Sequence, residues 1–200
     1  MASQLDELHM DMLAEIFNMG MGQAVFALSH LSGSEKEVEF EIPTVEVMDK
    51  SEFIKSAKVG HGTGMIIQNY YGELKGHAVM YYPELAGKHL AKLLIGTDIP
   101  PEKIESLESD AMIEVGNIFI NAAITCLSRF LSAEIKTELP VVVYSDKLQD
   151  TLGADTDEIL VLNSKFCIEH MKIEGKLAFA LDNISLKHLL DEIDRYLGVM

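Results

Sequence analysis

Apolar side chains surround most of a helical circumference from Asp6 to Leu31, and Ser32-Gly33-Ser34 then ends the run. This pattern predicts a long helix. Lys36 to Ile42 alternates charged and apolar residues up to Pro43, as a half-buried strand does, with room for another strand after it. Asp49 followed three residues later by Glu52 marks a helix start for a short segment at Ser51 to Ala57. Thr63 to Tyr71 and Glu73 to Tyr82 read as two strands joined by a tight turn at Gly72, and Pro83 to Leu94 reads as an amphipathic helix. The same order then returns. A long helix is predicted from Lys103 to Leu131, a strand pair within Glu158 to Leu181, and a closing helix from Ile184 to Leu197.

The return is an internal repeat. Asp11, Glu15, Asn18 and Ser29 recur 99 residues later as Asp110, Glu114, Asn117 and Ser128. Gly76 recurs as Gly175 and Lys88-His89-Leu90 as Lys187-His188-Leu189 at the same offset. Two copies are too few for a solenoid, so the expectation is a single domain over 1–200. Its halves of about 1–100 and 101–200 meet near Ile99-Pro100-Pro101 and share one core. Helices and hairpins segregate in each half, which predicts an α+β fold of two pseudo-two-fold related halves, with long helices against one face of a single, mostly antiparallel sheet.

The long helices are so apolar that their polar exceptions carry information. After the first turn of the second helix, Asp110, Glu114, Asn117, Asn121 and Ser128 stand at steps of 4, 3, 4 and 7, which trace one line along a helix. The first helix has Asp11, Glu15, Asn18, Gly22 and Ser29 at the same steps. A solvated face would explain one such line. A D-x-x-x-E-x-x-N string arises by chance at about one start in ten thousand, so its recurrence at the repeat offset reflects a shared origin. A carboxamide offers a donor and an acceptor on a neutral plane and can align a water without ionising, while a carboxylate one turn earlier can meet a cation. An acid and an amide without a nucleophile, metal ligands or phosphate loop do not make a whole active site. They suit the completion of a site on another protein.

Charge and composition narrow the partner. With 16 basic and 32 acidic residues the net charge is −16, a field that repels nucleic acid and anionic membrane. A composition 48% hydrophobic and 24% charged is that of a folded globular chain. No apolar run approaching a membrane span is apparent and the start lacks a signal-peptide layout, so a cytoplasmic chain is expected. Cys126 and Cys167 stand far apart in apolar stretches and read as buried thiols.

The string D-x-x-x-E-x-x-N followed 23 residues on by proline, as Asn117 is by Pro140, resembles the signature of the CheC and CheX chemotaxis phosphatases. The two-copy layout over all 200 residues resembles CheC in particular. The resemblance implies a hydrolase of two-component signalling that docks on a phosphorylated CheY-like response regulator, whose own Mg²⁺ and acidic pocket hold an aspartyl phosphate. The chain itself would bind no cofactor. Asn117 and Asn18 would orient the attacking water, Glu114 and Glu15 would contact the regulator's lysine, and Asp11, Asp110 and Asn121 would lie on the partner-binding surface. A non-catalytic module that sequesters the regulator, or that engages a CheD-like receptor deamidase, is the alternative. The copies match unequally. In the first, Phe17 takes the usual glycine position, Gln23 stands where asparagine is common, and Pro43 comes 25 residues after Asn18.

Other motifs are weaker. Gly60-His61-Gly62-Thr63-Gly64 lacks the lysine and hydroxyl of a phosphate loop and precedes a strand. Gly20 and Gly22 do not complete a dinucleotide fingerprint, because Val25 stands at the third glycine, and read as sites of close helix approach. The seven histidines show no metal spacing. An internally duplicated chain already supplies the symmetry that a single-copy relative gains by pairing. Ultracentrifugation is therefore expected to return a monomer mass near 22.2 kDa; a value twice as large would overturn this.

Overall fold

The computed structural model describes residues 5–31, 38–41, 43–58, 63–83, 104–143, 148–152, 156–168 and 171–198. Its first half runs α1 (Glu7–Leu31), β1 (Val38–Phe40), β2 (Thr44–Asp49), α2 (Lys50–Lys58), β3 (Thr63–Gly72) and β4 (Gly76–Pro83). The second runs α3 (Ile104–Leu131), β5 (Ile135–Thr137), β6 (Val141–Val143), the single turn α4 (Leu148–Thr151), β7 (Glu158–Ile168), β8 (Met171–Leu181) and α5 (Asn183–Leu197). Pro83 ends β4; the rest of the helix expected over Pro83 to Leu94, the Lys88-His89-Leu90 copy and the junction at Ile99 to Pro101 lie outside the described residues. So does most of the Gly60–Gly64 run, of which Thr63 and Gly64 open β3.

Local chemistry sets the helix ends. At the start of α1 the Asp6 carboxylate accepts the His9 backbone N–H at 3.0 Å, and this bond holds the carboxyl below the usual range. The buried His9 ring lies with Nδ1 2.6 Å from Asp6 and Nε2 3.0 Å from Asp194, tying α1 to α5. Asp182 caps α5 by accepting from the Ser185 N–H, and Gly198 closes it with φ 70°. The predicted strand from Glu73 instead begins at Gly76. Gly72 takes φ 125°, and the Glu73 N–H turns away to the Glu134 carbonyl at 3.2 Å.

All eight strands form one sheet in the order β1-β7-β8-β4-β3-β5, with β2 also on β7 and β6 also on β3. Every pairing is antiparallel. The halves are interleaved. Short strands β1 and β2 of the first half lie along β7, and β5 and β6 of the second lie along β3. The hairpins meet in the middle, where Val79 pairs with Ala178, the residue 99 positions on.

Each face of the sheet carries a core. On one, α1, α3 and α5 bury Leu13, Phe17, Met21, Val115, Ile120, Leu189 and Ile193 against Ile66, Met80, Leu162 and Phe179. Phe17 stacks on Phe179 at 5.3 Å between ring centroids. The opposite face holds Phe53, Leu148 and Leu152 against Met65, Val79, Val161 and Ala178, so the helical cover expected on one face extends to both. Contrary to the expectation of no apolar run near the length of a membrane span, Ser109–Leu131 is apolar and long enough to cross one. Here it is the core helix, with 61% of that window buried. Cys126 is buried and its thiol pushed up by that burial.

Two glycines show how closely the helices lie. At Gly20 a β-carbon would sit 3.1 Å from the Ala122 carbonyl oxygen and 3.2 Å from the Ala123 Cα, so α1 and α3 cross at this point. At Gly116 it would stand 2.8 Å from both Cδ1 and Cγ2 of Ile66, so α3 lies flat on β3. Gly22 faces open space, and close helix approach is not its purpose. In urea unfolding, Gly116→Ala is expected to cost about 1–3 kcal/mol through overpacking. Gly22→Ala should add about 0.5–1 kcal/mol by helix propensity. Equal effects of one sign would refute this account of α3.

Candidate functional site

The buried side of α3 consists of Met112, Val115, Phe119, Ile120 and Ala123, all apolar, which turns the 110–114–117–121 line toward solvent. Asp110 and Glu114 are exposed, while Asn117 and Asn121 are half-buried. The same geometry leaves Asp11 and Glu15 exposed and Asn18 half-buried on α1. In each copy the acid and the amide therefore project together from one helix face.

Beyond this common pattern the two lines differ. On α3 the Asn121 Nδ2 donates to the Asn117 Oδ1 at 2.6 Å across one helical turn. The Asn121 Oδ1 in turn accepts from the Gln68 Nε2 of β3 at 3.1 Å. The same Nε2 donates to the Glu138 carbonyl at 2.9 Å. Gln68 is only 1% exposed, and its Oε1 has no hydrogen-bond partner among the described residues, a cost of about 1–3 kcal/mol. Sequence reasoning missed Gln68. Its signal is a carboxamide in the strand Met65-Ile66-Ile67-Gln68 on the same face as Ile66, where an apolar residue is the rule.

None of this exists at the first copy. The residue at the step of Asn121 is Gly22, not Gln23, which lies one position on and is exposed. Across the hairpins, Gln68 pairs with Ala78 while Leu162 pairs with Leu177, which stands 99 residues after Ala78. The counterpart of Gln68 is thus the fully buried Leu162. Where Gly116 lies against Ile66, Phe17 fills the space with an aromatic ring. Pro43 and Pro140 are both buried and both follow the first residue of β1 or β5 by five positions. The two extra residues of the first copy therefore fall before β1, at 32–37, outside the described residues.

No protein-family profile matches the chain. Among curated proteins it is 24% identical over 181 residues to the CheY-P phosphatase CheC of Bacillus subtilis (strain 168), covering 84% of this chain and 85% of that one. The sequence likeness to this phosphatase extends over most of both chains. Solved structures agree on the fold. FliY of Thermotoga maritima matches with a TM-score of 0.75 at 20% identity, over 96% of this chain and 99% of that one. The CheX chain of a CheX–CheY–BeF3–Mg²⁺ complex from Borrelia burgdorferi matches with 0.55 at 16% identity, over 84% and 97%.

A concavity lies beside Glu138. It has a volume of about 300 Å³ and is lined by Asn69, His77, Glu138, Thr156, Lys75 and Asp182 among others. The His77 Nδ1 lies 2.8 Å from the Asn69 Oδ1, and the Asn69 Nδ2 donates to the Glu138 carboxylate at 2.8 Å. Burial, then Lys50 and Lys75, lower the His77 pKa below 6.5, with Glu138 opposing them. A histidine kept neutral in the fold takes up its proton more readily when unfolded. Stability from this group is therefore present above about pH 6.5 and lost as pH falls below it. Between pH 7.5 and 5.5, urea titrations should show a smaller loss of stability in His77→Gln than in wild type; an equal loss would contradict this account of His77.

Proposed function

We propose that this chain hydrolyses the aspartyl phosphate of a CheY-like response regulator in chemotaxis signalling, in the cytoplasm, with α3 as the main working face. The observation that carries this reading is the exposure of Glu114 together with a half-buried Asn117 on a helix whose opposite face is core. A carboxylate held one turn from a carboxamide does more than a docking face requires. The likeness to a CheY-P phosphatase and to a CheX chain in complex with CheY, BeF3 and Mg²⁺ supports the partner.

On this reading Glu114 meets the regulator's lysine and fixes how deeply α3 enters, with Asp110 on the rim of the contact. The regulator supplies Mg²⁺ and the phosphoryl group. Asn117 holds a water in line with the phosphorus–oxygen bond; the water oxygen bonds to phosphorus, the aspartate carboxylate leaves, and the water's proton ends on the phosphate released. Such a contribution is positioning and electrostatics, which dominate phosphoryl transfer. Glu15 and Asn18, with Asp11 beside them, form a second and slower site. The chain works as a monomer.

The test is the decay of a phosphorylated CheY-type regulator in Mg²⁺ with catalytic amounts of protein. Wild type should accelerate decay, Asn117→Ala should remove most of the acceleration by cutting the rate of its site roughly 100-fold, and Asn18→Ala with Asn117→Ala should remove the rest. Unchanged decay alongside binding of the phosphorylated regulator would identify a sequestering module instead.

A further inference from the structure

We infer that Gln68 and Asn121 are positioning residues that set which end of the Asn117 carboxamide faces the partner, the direction being imposed by the backbone carbonyl of Glu138. This rests on the reading of Asn117 as the water-orienting group and goes beyond it, since it turns Asn121 from a partner contact into a support.

A carboxamide can sit in either of two orientations with nearly the same shape, and only its hydrogen-bond partners decide between them. Here the decision starts from a group that has no choice. The Glu138 carbonyl is an acceptor, so the end of Gln68 that faces it at 2.9 Å must be the NH2 group. The second hydrogen of that NH2 points to Asn121 at 3.1 Å, which must then present its oxygen. With its oxygen committed inward, Asn121 turns its own NH2 to Asn117 at 2.6 Å, where the oxygen receives it. The Asn117 NH2 is left for the outside. Two hydrogens and one free lone pair then face the place where the water would sit, and the water oxygen is held by donation while its other lone pair is free to attack. Reversal of any one amide would put two oxygens or two NH2 groups face to face.

Several features fit this reading. Gln68 is buried to 1% exposure and leaves its Oε1 unpartnered among the described residues, so its NH2 contacts are kept at the expense of its other end. Glu138 is held on β3 by its own N–H, which donates to the Asn69 carbonyl at 2.9 Å, and the buried Pro140 of the signature follows two residues later. The spacing of the motif thereby delivers a carbonyl as well as a strand. The first copy carries Gly22 and Leu162 at the two positions, so its Asn18 has neither support and should be the slower site.

The experiment isolates the second site in an Asn18→Ala background and follows regulator dephosphorylation for Gln68→Met, Asn121→Ala and Asn121→Asp, each alone and with Asn117→Ala. Thermal unfolding is run alongside to establish that each variant folds, and side-chain amide NMR reads Asn117 directly. The expectation is a fall of about tenfold in kcat with KM for the phosphorylated regulator unchanged, no further loss when Asn117 is already alanine, and shifted Asn117 NH2 resonances. Asn121→Asp is the sharpest variant: it still accepts from Gln68 but offers Asn117 an oxygen, so it should be as slow as Asn121→Ala, whereas a packing role would leave it nearly active. Full kcat in Gln68→Met and Asn121→Asp, an effect confined to KM, or losses additive with Asn117→Ala would overturn the inference. If wild type does not accelerate decay at all, the phosphatase reading fails by itself. The NMR arm then still decides the inference, since an Asn117 NH2 signal unmoved by Gln68→Met would mean that Gln68 does not hold it.

Discussion

Helix α3 can lie flat on the sheet only because residue 116 has no side chain. A β-carbon there would stand 2.8 Å from two carbons of Ile66, and Ile66 is fully buried. From that contact the rest of the second site follows. Two residues along β3 on the same face is Gln68, five along α3 is Asn121, and the close approach brings their amides to 3.1 Å. Had the helix stood off by the thickness of one more residue, the carboxamides could not touch and Gln68 would be an unpaired polar group in an apolar core. A packing constraint and a hydrogen-bond chain are thus one feature seen from its two sides.

The first half shows the alternative. Phe17 at the matching position is fully buried and stacks on Phe179, so α1 rests on the sheet through an aromatic ring where α3 rests through bare backbone. Such a contact stabilises the core by area and geometry but needs no polar residue beneath it, and the strand below carries Leu162. At this position the first helix has an apolar contact and the second a polar support. Both helices carry an exposed acid and a half-buried amide on the surface, so the two differ beneath the helix more than upon it.

Interleaved strands hold the two halves of the chain in one sheet. The short strands of each half complete the hairpin of the other, and the hairpins join at Val79 and Ala178. Neither half can close its own sheet edge alone. The Glu138 carbonyl and Asn121 come from the second half while Gln68 comes from the first, so the support of the second site exists only when both halves are folded together.

The chain alone determined much of this. Helical and alternating periodicities located the long helices and the hairpins, and the steps of 4, 3 and 4 put Glu114, Asn117 and Asn121 on one line, because those are properties of a single element's geometry. The 99-residue recurrence of Asp, Glu, Asn and Ser was visible in the chain itself. What it could not supply was anything that depends on two elements meeting. A glutamine inside β3 is 53 positions from the asparagine it holds and 70 from the carbonyl that orients it, and no local rule connects them. The second layer of helix over the far face, the exchange of edge strands and the role of α3 as a buried core helix have the same character. Periodicity tells which face of an element is apolar, but only the packed structure decides what that face meets, and at Asn117 it is the meeting that sets which way the amide points.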